Sequence, residues 1–371
     1  MKIKMITNDF PLSCGGVGYY VYYLSRELID MGHDVSVILR GKRDRRFHYK
    51  DIEVIEIGIP GRPPLNLSSF RKKVERILLE EETDLVHIHN TAMPSISCGC
   101  PVIVTAHCCV KGIIKNYYRP VRDLDGLLRN LLFPYYSHIE RKLLSSSDKF
   151  LVVSNSLRNE FKKYYNVNSD VMYNGVDTEK FNANNRVKED LILFTGMFRF
   201  GKGLYDLLRV AEMLKRTHPE VQVVMVGDGP IKKKVYKIIQ ERDLFNVKTK
   251  KQLSHNELLE YYHRAKVYVL PSYYEGLPTT ILEAMACKLP VVASNISGIP
   301  EQIEEGVTGY MLSPGDVNGF YNRIVRLLED PEKQKSFGEK GRERVMERFT
   351  WPHIARGIAK KYTELLQTNT D

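Results

Sequence analysis

Several features that would settle a function quickly are scarce in this chain. Its six cysteines include no C-x2-C pair: Cys98 and Cys100 stand two apart, Cys108 and Cys109 are adjacent, and Cys14 and Cys287 are isolated. A structural zinc site therefore has little support. At 371 residues this is no small scaffold that needs disulfide staples, and reduced thiols fit a cytoplasmic address. No apolar run approaches the ~18 residues of a membrane-spanning helix. The opening MKIKMITNDF enters a strand pattern at once, without the apolar core of a signal peptide. A soluble or peripheral protein is expected. There is one tryptophan, and no RNA-binding aromatic signature accompanies the basic clusters at 42–46 and 71–73. The net charge of +10 favours anionic partners in general, but no nucleic-acid partner is expected. Internal repeats and low-complexity tracts are also missing.

What is present is an alternation of short β-rich runs with helical periodicity. KIKMIT, DVSVIL, IEVIEIG, DLVHIH, PVIVTAH and KFLVVS form one series, with helices over 16–31 and 69–82 between them. DLILFTG opens a second series, which continues through a helix over 204–217, VQVVMVGDG, VYVLPS and PVVAS. Such alternation implies βαβ units and parallel sheets covered on both faces. The expected fold class is α/β, with two Rossmann-like domains facing each other across a cleft. A polar, Asn-rich stretch over 177–190 reads as the connection.

The most informative segment lies in the second series. Glu275-Gly-Leu-Pro-Thr-Thr-Ile-Leu-Glu283 places two carboxylates eight positions apart, in a loop and the helix that follows. Ligands of parallel α/β sheets bind at the carboxyl ends of strands. Pro278 suits a first helical turn, which leaves the amides of Thr279, Thr280 and Ile281 to face an anion, with the helix dipole favouring a phosphate. Glu283, deeper in the helix, can accept hydrogen bonds from neutral hydroxyls, and Glu275 can meet another part of the same ligand. A phosphate flanked by two such carboxylates fits a nucleotide sugar.

This E-x7-E pattern, followed by SNISGIPEQIEEGVTGYMLSPGD over 294–316, resembles the retaining family 4 glycosyltransferases, whose fold is GT-B. The resemblance covers nearly the whole chain. It implies an N-terminal acceptor-binding domain over 1–180, joined by a returning helix within 351–371, and a C-terminal donor-binding domain over 181–350. It assigns Glu283 to ribose hydroxyls and Glu275 to the transferred sugar, with Leu277, Pro278, Thr279 and Thr280 along the diphosphate. FTGMFRFGKG (194–203) resembles the family's first donor loop, with Gly196 as its first glycine and Lys202 as its lysine. The family's arginine position holds Met197, and Arg199, two residues on, is expected to supply that charge from the same face of an extended segment. Gly227, in VGDGP, reads as cleft-lining or as a simple turn. Glu301, in SGIPE, is either a nucleoside contact or an ordinary first-turn carboxylate.

On the acceptor side, Gly15, Gly16 and Gly18 follow the first strand, and Asn155 sits at another strand end. In relatives the glycine loop shapes the acceptor and diphosphate region. His107, ending VTAH, matches a histidine that contacts the donor sugar, and His89 is a weaker counterpart. The resemblance implies a glycosyltransferase that retains anomeric configuration by front-face attack. The donor would be a nucleotide diphosphate sugar and the acceptor a glycan, a lipid-linked sugar or a small glycoside. The chain has no D-x-D motif in a matching place, so no metal and no cofactor are expected. Residues 111–144 carry Leu124, Leu127, Leu128, Leu131 and Leu132 beside Arg122 and Arg129. That segment either dips into an anionic membrane surface or packs as a helix on its domain.

Overall fold

The computed structural model describes residues 1–11, 16–61, 66–117, 124–184, 187–251 and 253–368, with side chains throughout except at 116–130 and 255. The chain divides into two compact units. One comprises Met1–Ile114, Pro120–Gly175 and Trp351–Asp371; the other comprises Val176–Thr350 with Lys115–Arg119.

Among the described residues the first unit holds eight strands: β1 (Lys2–Thr7), β2 (Asp34–Gly41), β3 (Arg45–Tyr49), β4 (Ile52–Gly58), β5 (Leu85–His89), β6 (Val102–Ala106), β7 (Lys149–Val152) and β8 (Asp170–Val171). Their order is β3-β4-β2-β1-β5-β6-β7-β8. Every pairing is parallel except that of β3 with β4. The helices here are α1 (Gly16–Asp30), α2 (Leu67–Glu80), α3 (Val110–Tyr117), α4 (Leu124–Ser145) and α5 (Asn155–Tyr165). β5 and β6 are buried along their whole length, as strands covered by helices on both faces must be.

The antiparallel β3 was not expected. Its sequence, RRFHY, overlaps the basic cluster 42–46, and its charges are matched by carboxylates. Arg45 pairs with Glu56, Arg46 with Glu53 and Glu81, and Asp44 with Lys73. Arg45 and Arg46 of the cluster thus lie on an edge strand with counter-charges of their own.

The second unit holds β9 (Leu191–Thr195), β10 (Gln222–Val226), β11 (Val247–Lys250), β12 (Val267–Leu270), β13 (Val291–Ser294) and β14 (Gly309–Leu312). All six are parallel, in the order β11-β10-β9-β12-β13-β14. Numbered within the unit, this is the 3-2-1-4-5-6 order of a dinucleotide-binding Rossmann sheet. The connecting helices are α6 (Leu204–Thr217), α7 (Lys232–Glu241), α8 (His255–Arg264), α9 (Thr279–Ala286), α10 (Ile299–Gln302), α11 (Val317–Leu328) and α12 (Pro331–Arg348). In α6, Leu204, Leu207, Leu208, Ala211 and Leu214 are buried, the i, i+3, i+4, i+7 stripe of a helix lying on a sheet. β9, β12 and β13 are buried throughout. The strand order reverses between β9 and β12, and the loops following those strands flank that crevice.

The last helix, α13 (Trp351–Thr368), belongs to the first unit. Trp351 packs edge-on to Tyr20 and stacks on Tyr23 of α1. The Tyr362 hydroxyl meets His87 Nδ1 at 2.6 Å. Among the described residues, no helix is long and apolar enough to cross a membrane. Gly15, and the side chains of Leu124, Leu127, Leu128, Arg122 and Arg129, lie outside the described residues, while Leu131 is exposed.

Candidate active site

In the second unit the loops after β9 and β12 are stitched together by backbone. Gly203 has φ +69, and a Cβ there would lie 1.9 Å from the Pro271 carbonyl oxygen. The Tyr273 amide donates to the Gly201 oxygen at 2.8 Å. This close approach, open only to glycine, sets Lys202 against Glu275. Lys202 Nζ lies 2.6 Å from Glu275 Oε1. The Ser272 hydroxyl donates to the same oxygen at 2.6 Å. Both charged side chains are largely buried, at 22% and 10% exposed. The Glu275 amide in turn donates to Ser297 Oγ at 3.3 Å, which ties in the loop after β13.

The neighbouring loop after β10 closes in the same way. Gly227 has φ +153, and a Cβ there would stand 2.0 Å from the Gly196 oxygen. Gly196 itself sits at φ +152. Asp228, one residue on, forms an ion pair with Lys232 at 2.8 Å.

Arg199 does not reach its position as the sequence suggested. Arg199 itself is extended, at φ −121 and ψ 155, but the chain turns at Phe198, because the Arg199 amide donates to the Met197 oxygen at 2.8 Å. That is a tight three-residue turn. Phe198 at its centre is fully buried, and its amide is held by the Asp228 oxygen at 2.9 Å. Burial of Phe198 bends the chain, so Met197 is exposed at 42% while Arg199 is half-buried. The Arg199 Nε is buried without a hydrogen-bond partner.

Pro278 also differs by one place. With ψ 117 it is the N-cap of α9, outside the first helical turn, because its backbone is extended. Its carbonyl accepts from the Ile281 amide at 3.3 Å and from Gln302 Nε2 at 2.9 Å. The Ile281 amide is therefore engaged. Thr279 and Thr280 are the first two residues of α9, where a helix has no carbonyl of its own for the amide to reach. Leu277 is buried just before them.

Glu283 lies in the second turn of α9, and its Oε2 accepts from the Tyr262 hydroxyl at 2.7 Å. That hydroxyl meets Thr195 Oγ1 at 3.0 Å, and Thr195 meets the Tyr268 hydroxyl at 3.2 Å. Burial pushes the Glu283 carboxyl up to about 7, against the opposing pull of the Tyr262 hydrogen bond and the Lys180 charge. It therefore changes charge near neutrality.

In the first unit, His107 follows β6 and meets the Tyr20 ring edge-on at 4.6 Å. Its Nε2 is buried with no hydrogen-bond partner. Burial lowers its pKa to about 3, so the ring is neutral. His89, fully buried, places Nε2 3.4 Å from Met5 Sδ. Gly16 opens α1 with free space around it, whereas a Cβ at Gly18 would press on Phe10 backbone atoms at 2.9 Å. Asn155 opens α5 and donates from Nδ2 to the Tyr173 hydroxyl at 3.1 Å. Glu301 falls within α10, whose carbonyls at Glu301 and Gln302 accept from Arg344. No group of three or more His, Cys, Asp or Glu side chains among the described residues could hold a metal ion.

A family model described as glycosyl transferases group 1 matches residues 176–344, and one described as glycosyltransferase family 4 matches residues 14–180. The chain is a family 4 glycosyltransferase. A glycogen synthase of Mycobacterium tuberculosis is 27% identical over 400 residues, covering 98% of this chain and 94% of the relative. An N-acetyl-alpha-D-glucosaminyl L-malate synthase of Bacillus anthracis is 27% identical over 392 residues, covering 99% and 98%. The structure of sucrose-phosphate synthase from Thermosynechococcus elongatus superposes with a TM-score of 0.83 at 24% identity, over 99% of each chain. This glycosyltransferase therefore has the GT-B fold.

Within the glycosyltransferase, two hydroxyls bonded to the carboxylates, those of Ser272 and Tyr262, and the Thr195 hydroxyl behind Tyr262 were not singled out from sequence. Ser272 stands three residues before Glu275, a spacing that a turn closes, so a local signal existed. Tyr262 reaches Glu283, and Thr195 reaches Tyr262, only through tertiary packing, and nothing in their local sequence marks them.

Proposed function

We propose that this protein is a retaining hexosyltransferase that takes its sugar from a nucleoside diphosphate donor and passes it to a hydroxyl acceptor. The observation that carries this reading is the Lys202–Glu275 pair at the sheet's switch point, beside the free first amides of α9. In this reading the diphosphate lies at the amides of Thr279 and Thr280, where the positive end of the helix favours an anion. Glu283 accepts from the ribose hydroxyls and Glu275 from hydroxyls of the transferred sugar. His107, neutral and with a free ring nitrogen, offers a hydrogen bond to a sugar hydroxyl.

The bond from the anomeric carbon to the diphosphate oxygen breaks, and the departing charge is stabilised by Lys202, Arg199 and the α9 amides. Donors aimed at developing charge in a water-poor site are worth orders of magnitude in rate. The acceptor oxygen then bonds to the anomeric carbon on the face the diphosphate leaves, and its proton passes to a diphosphate oxygen. Configuration is retained, with no carboxylate bonded to the sugar and no metal needed. The acceptor is a glycan, a lipid-linked sugar or a small glycoside. The cytoplasm, or the cytoplasmic face of a membrane, is the setting.

Met197, exposed where relatives of this type carry arginine, favours a second reading, a nucleotide-sugar-binding protein without turnover. Thermal shift with UDP, GDP, ADP and CMP, each with and without its sugar, tests the donor site on wild type and Glu283→Ala. Binding to the folded state must raise its apparent stability. One diphosphate that stabilises wild type and not the variant supports the site; no shift with any nucleotide overturns it. Release of nucleoside diphosphate from the matching donor, unchanged by EDTA, then separates the metal-independent transferase from the silent binder.

A further inference from the structure

The segment joining β5 to β6 carries the C-x-C pair that the donor chemistry leaves unused. Cys98 and Cys100 are both half-exposed, with their sulfurs 3.3 Å apart; the Cys100 thiol donates to the Cys98 sulfur, and the Cys98 thiol donates to the Cys100 carbonyl oxygen at 3.2 Å. They line a cavity of about 670 Å³ with Arg71 of α2, Ser97, Lys142 of α4 and Asp148. The cavity opens at the amino end of β6, whereas His107 follows its carboxyl end. The segment is held on both sides. The Ser97 amide donates to Glu75 Oε1 at 2.8 Å, an oxygen that also pairs with Arg71. The Val102 amide donates to Asp148 Oδ2 at 2.7 Å.

We propose that Cys98 and Cys100 form a thiol–disulfide exchange site for a small anionic disulfide. The Cys98 thiolate attacks one sulfur of the disulfide RS–SR, forming a mixed disulfide and releasing RS⁻. Cys100 then attacks the Cys98 sulfur of the mixed disulfide, its proton passing to the second departing RS⁻. The protein gains a Cys98–Cys100 bond, and one RS–SR is reduced to two RSH. The assignment of roles follows from the two hydrogen bonds: the Cys98 proton is held only by a backbone oxygen, and once it is lost the Cys100 thiol remains as a donor to the Cys98 sulfur. A thiol donating to Cys98 stabilises its thiolate and holds the Cys98 value below that of a free cysteine, against burial and the charges of Asp148 and Glu75. Cys100, the donor, is pushed up by the same bond and by burial. The thiolate is the nucleophile in such exchange. Arg71 is already paired with Glu75 and Asp148 is engaged with the Val102 amide, so the charge of the lining still open to a ligand is that of Lys142. Lys142 makes no ion pair among the described residues. Lys142 favours a disulfide bearing carboxylates.

The test uses the reduced full-length chain with oxidised glutathione as the anionic probe and cystamine as the cationic one, followed by peptide mapping. Wild type should lose both thiols to an internal Cys98–Cys100 bond without a lasting adduct. Cys100→Ser should stop at a glutathione adduct on Cys98, and Cys98→Ser should leave Cys100 unmodified. An adduct that favours Cys108 in Cys100→Ser, or equal modification of Cys100 in Cys98→Ser, overturns the proposal. Lys142→Ala should slow the reaction with oxidised glutathione several-fold and leave cystamine unslowed. Equal rates with both probes, before and after that change, overturn the anionic assignment. None of these readouts depends on donor binding.

Discussion

Replacing Glu283 by glutamine should flatten the pH dependence of stability over a window that the structure sets. Burial holds the Glu283 carboxyl at about 7 in the folded protein, against about 4.3 for an unfolded glutamate. A carboxyl whose folded value lies above its unfolded value binds a proton more tightly when folded. Its contribution to stability is complete below about pH 4.3 and is lost as pH rises through about 7. At about 1.4 kcal/mol per pH unit, that gap amounts to about 3.8 kcal/mol. Glu283 keeps some solvent exposure, so about 2 kcal/mol is the working figure. Glutamine does not titrate, and its amide oxygen can still accept from the Tyr262 hydroxyl. Between about pH 4 and pH 8, the variant should therefore gain about 2 kcal/mol on wild type. For a unit of this size that is a relative melting shift of about 4–8 °C. Calorimetric melting of both proteins across that range, without ligand, reads it directly. A difference constant to about 1 °C from end to end would show that burial does not control this carboxyl, and the reasoning would fail. In the transferase reading, donor affinity should also rise with pH through 7, as the ionised acceptor for ribose hydroxyls becomes populated.

Other perturbations separate folding from chemistry. Arg199→Ala removes a side chain whose Nε has no partner, so stability should change by no more than about 0.5 kcal/mol, while turnover should fall at least tenfold, or about 1.4 kcal/mol. A stability loss matching the activity loss would refute the diphosphate role. Lys202→Met leaves Glu275 a buried carboxylate without its cation, so it should lower stability by about 3 kcal/mol as well as turnover by about a hundredfold or more, read by denaturant melts and donor-saturated rates. Gly227→Ala demands φ +153 and places a Cβ 2.0 Å from the Gly196 oxygen. It should cost more than about 2 kcal/mol and weaken nucleotide binding. A variant as stable as wild type would show that these loops are free to part.

The sequence made the strands of the donor unit legible because their chemistry is simple. β9, β12 and β13 are short apolar runs buried on both faces, and each is followed by a glycine, proline or serine loop. The strand end after β12 therefore located Glu275, while Lys202 came from the resemblance of 194–203 to the family's first donor loop. What failed was local geometry decided by distant partners. Phe198 is drawn into the interior and held by Asp228, thirty residues on, so a segment read as extended turns instead. RRFHY reads as a basic patch until Glu53, Glu56 and Glu81 are brought beside it. The Glu283 network runs through Tyr262 and Thr195, whose hydroxyls a pattern of carboxylates and glycines does not announce.

The turn at Phe198 changes what the missing family arginine means. Had 197–199 been extended, an arginine at either end would have served one face, and the substitution at Met197 would be a shift in register. In the folded chain the two positions differ in kind. Met197 points into solvent, while Arg199 places its Nε in the interior with nothing to bond. A guanidinium nitrogen removed from water without a partner costs free energy, and a bound anion that restores its hydrogen bond would return that cost as affinity. Lys202 cannot play this part alone, because in the free protein its charge is already committed to Glu275, and a diphosphate must compete for it. The two cations thus divide the work. In the transferase reading, Lys202 holds Glu275 in place until the donor arrives, and Arg199 brings a guanidinium whose Nε has no partner in the free protein.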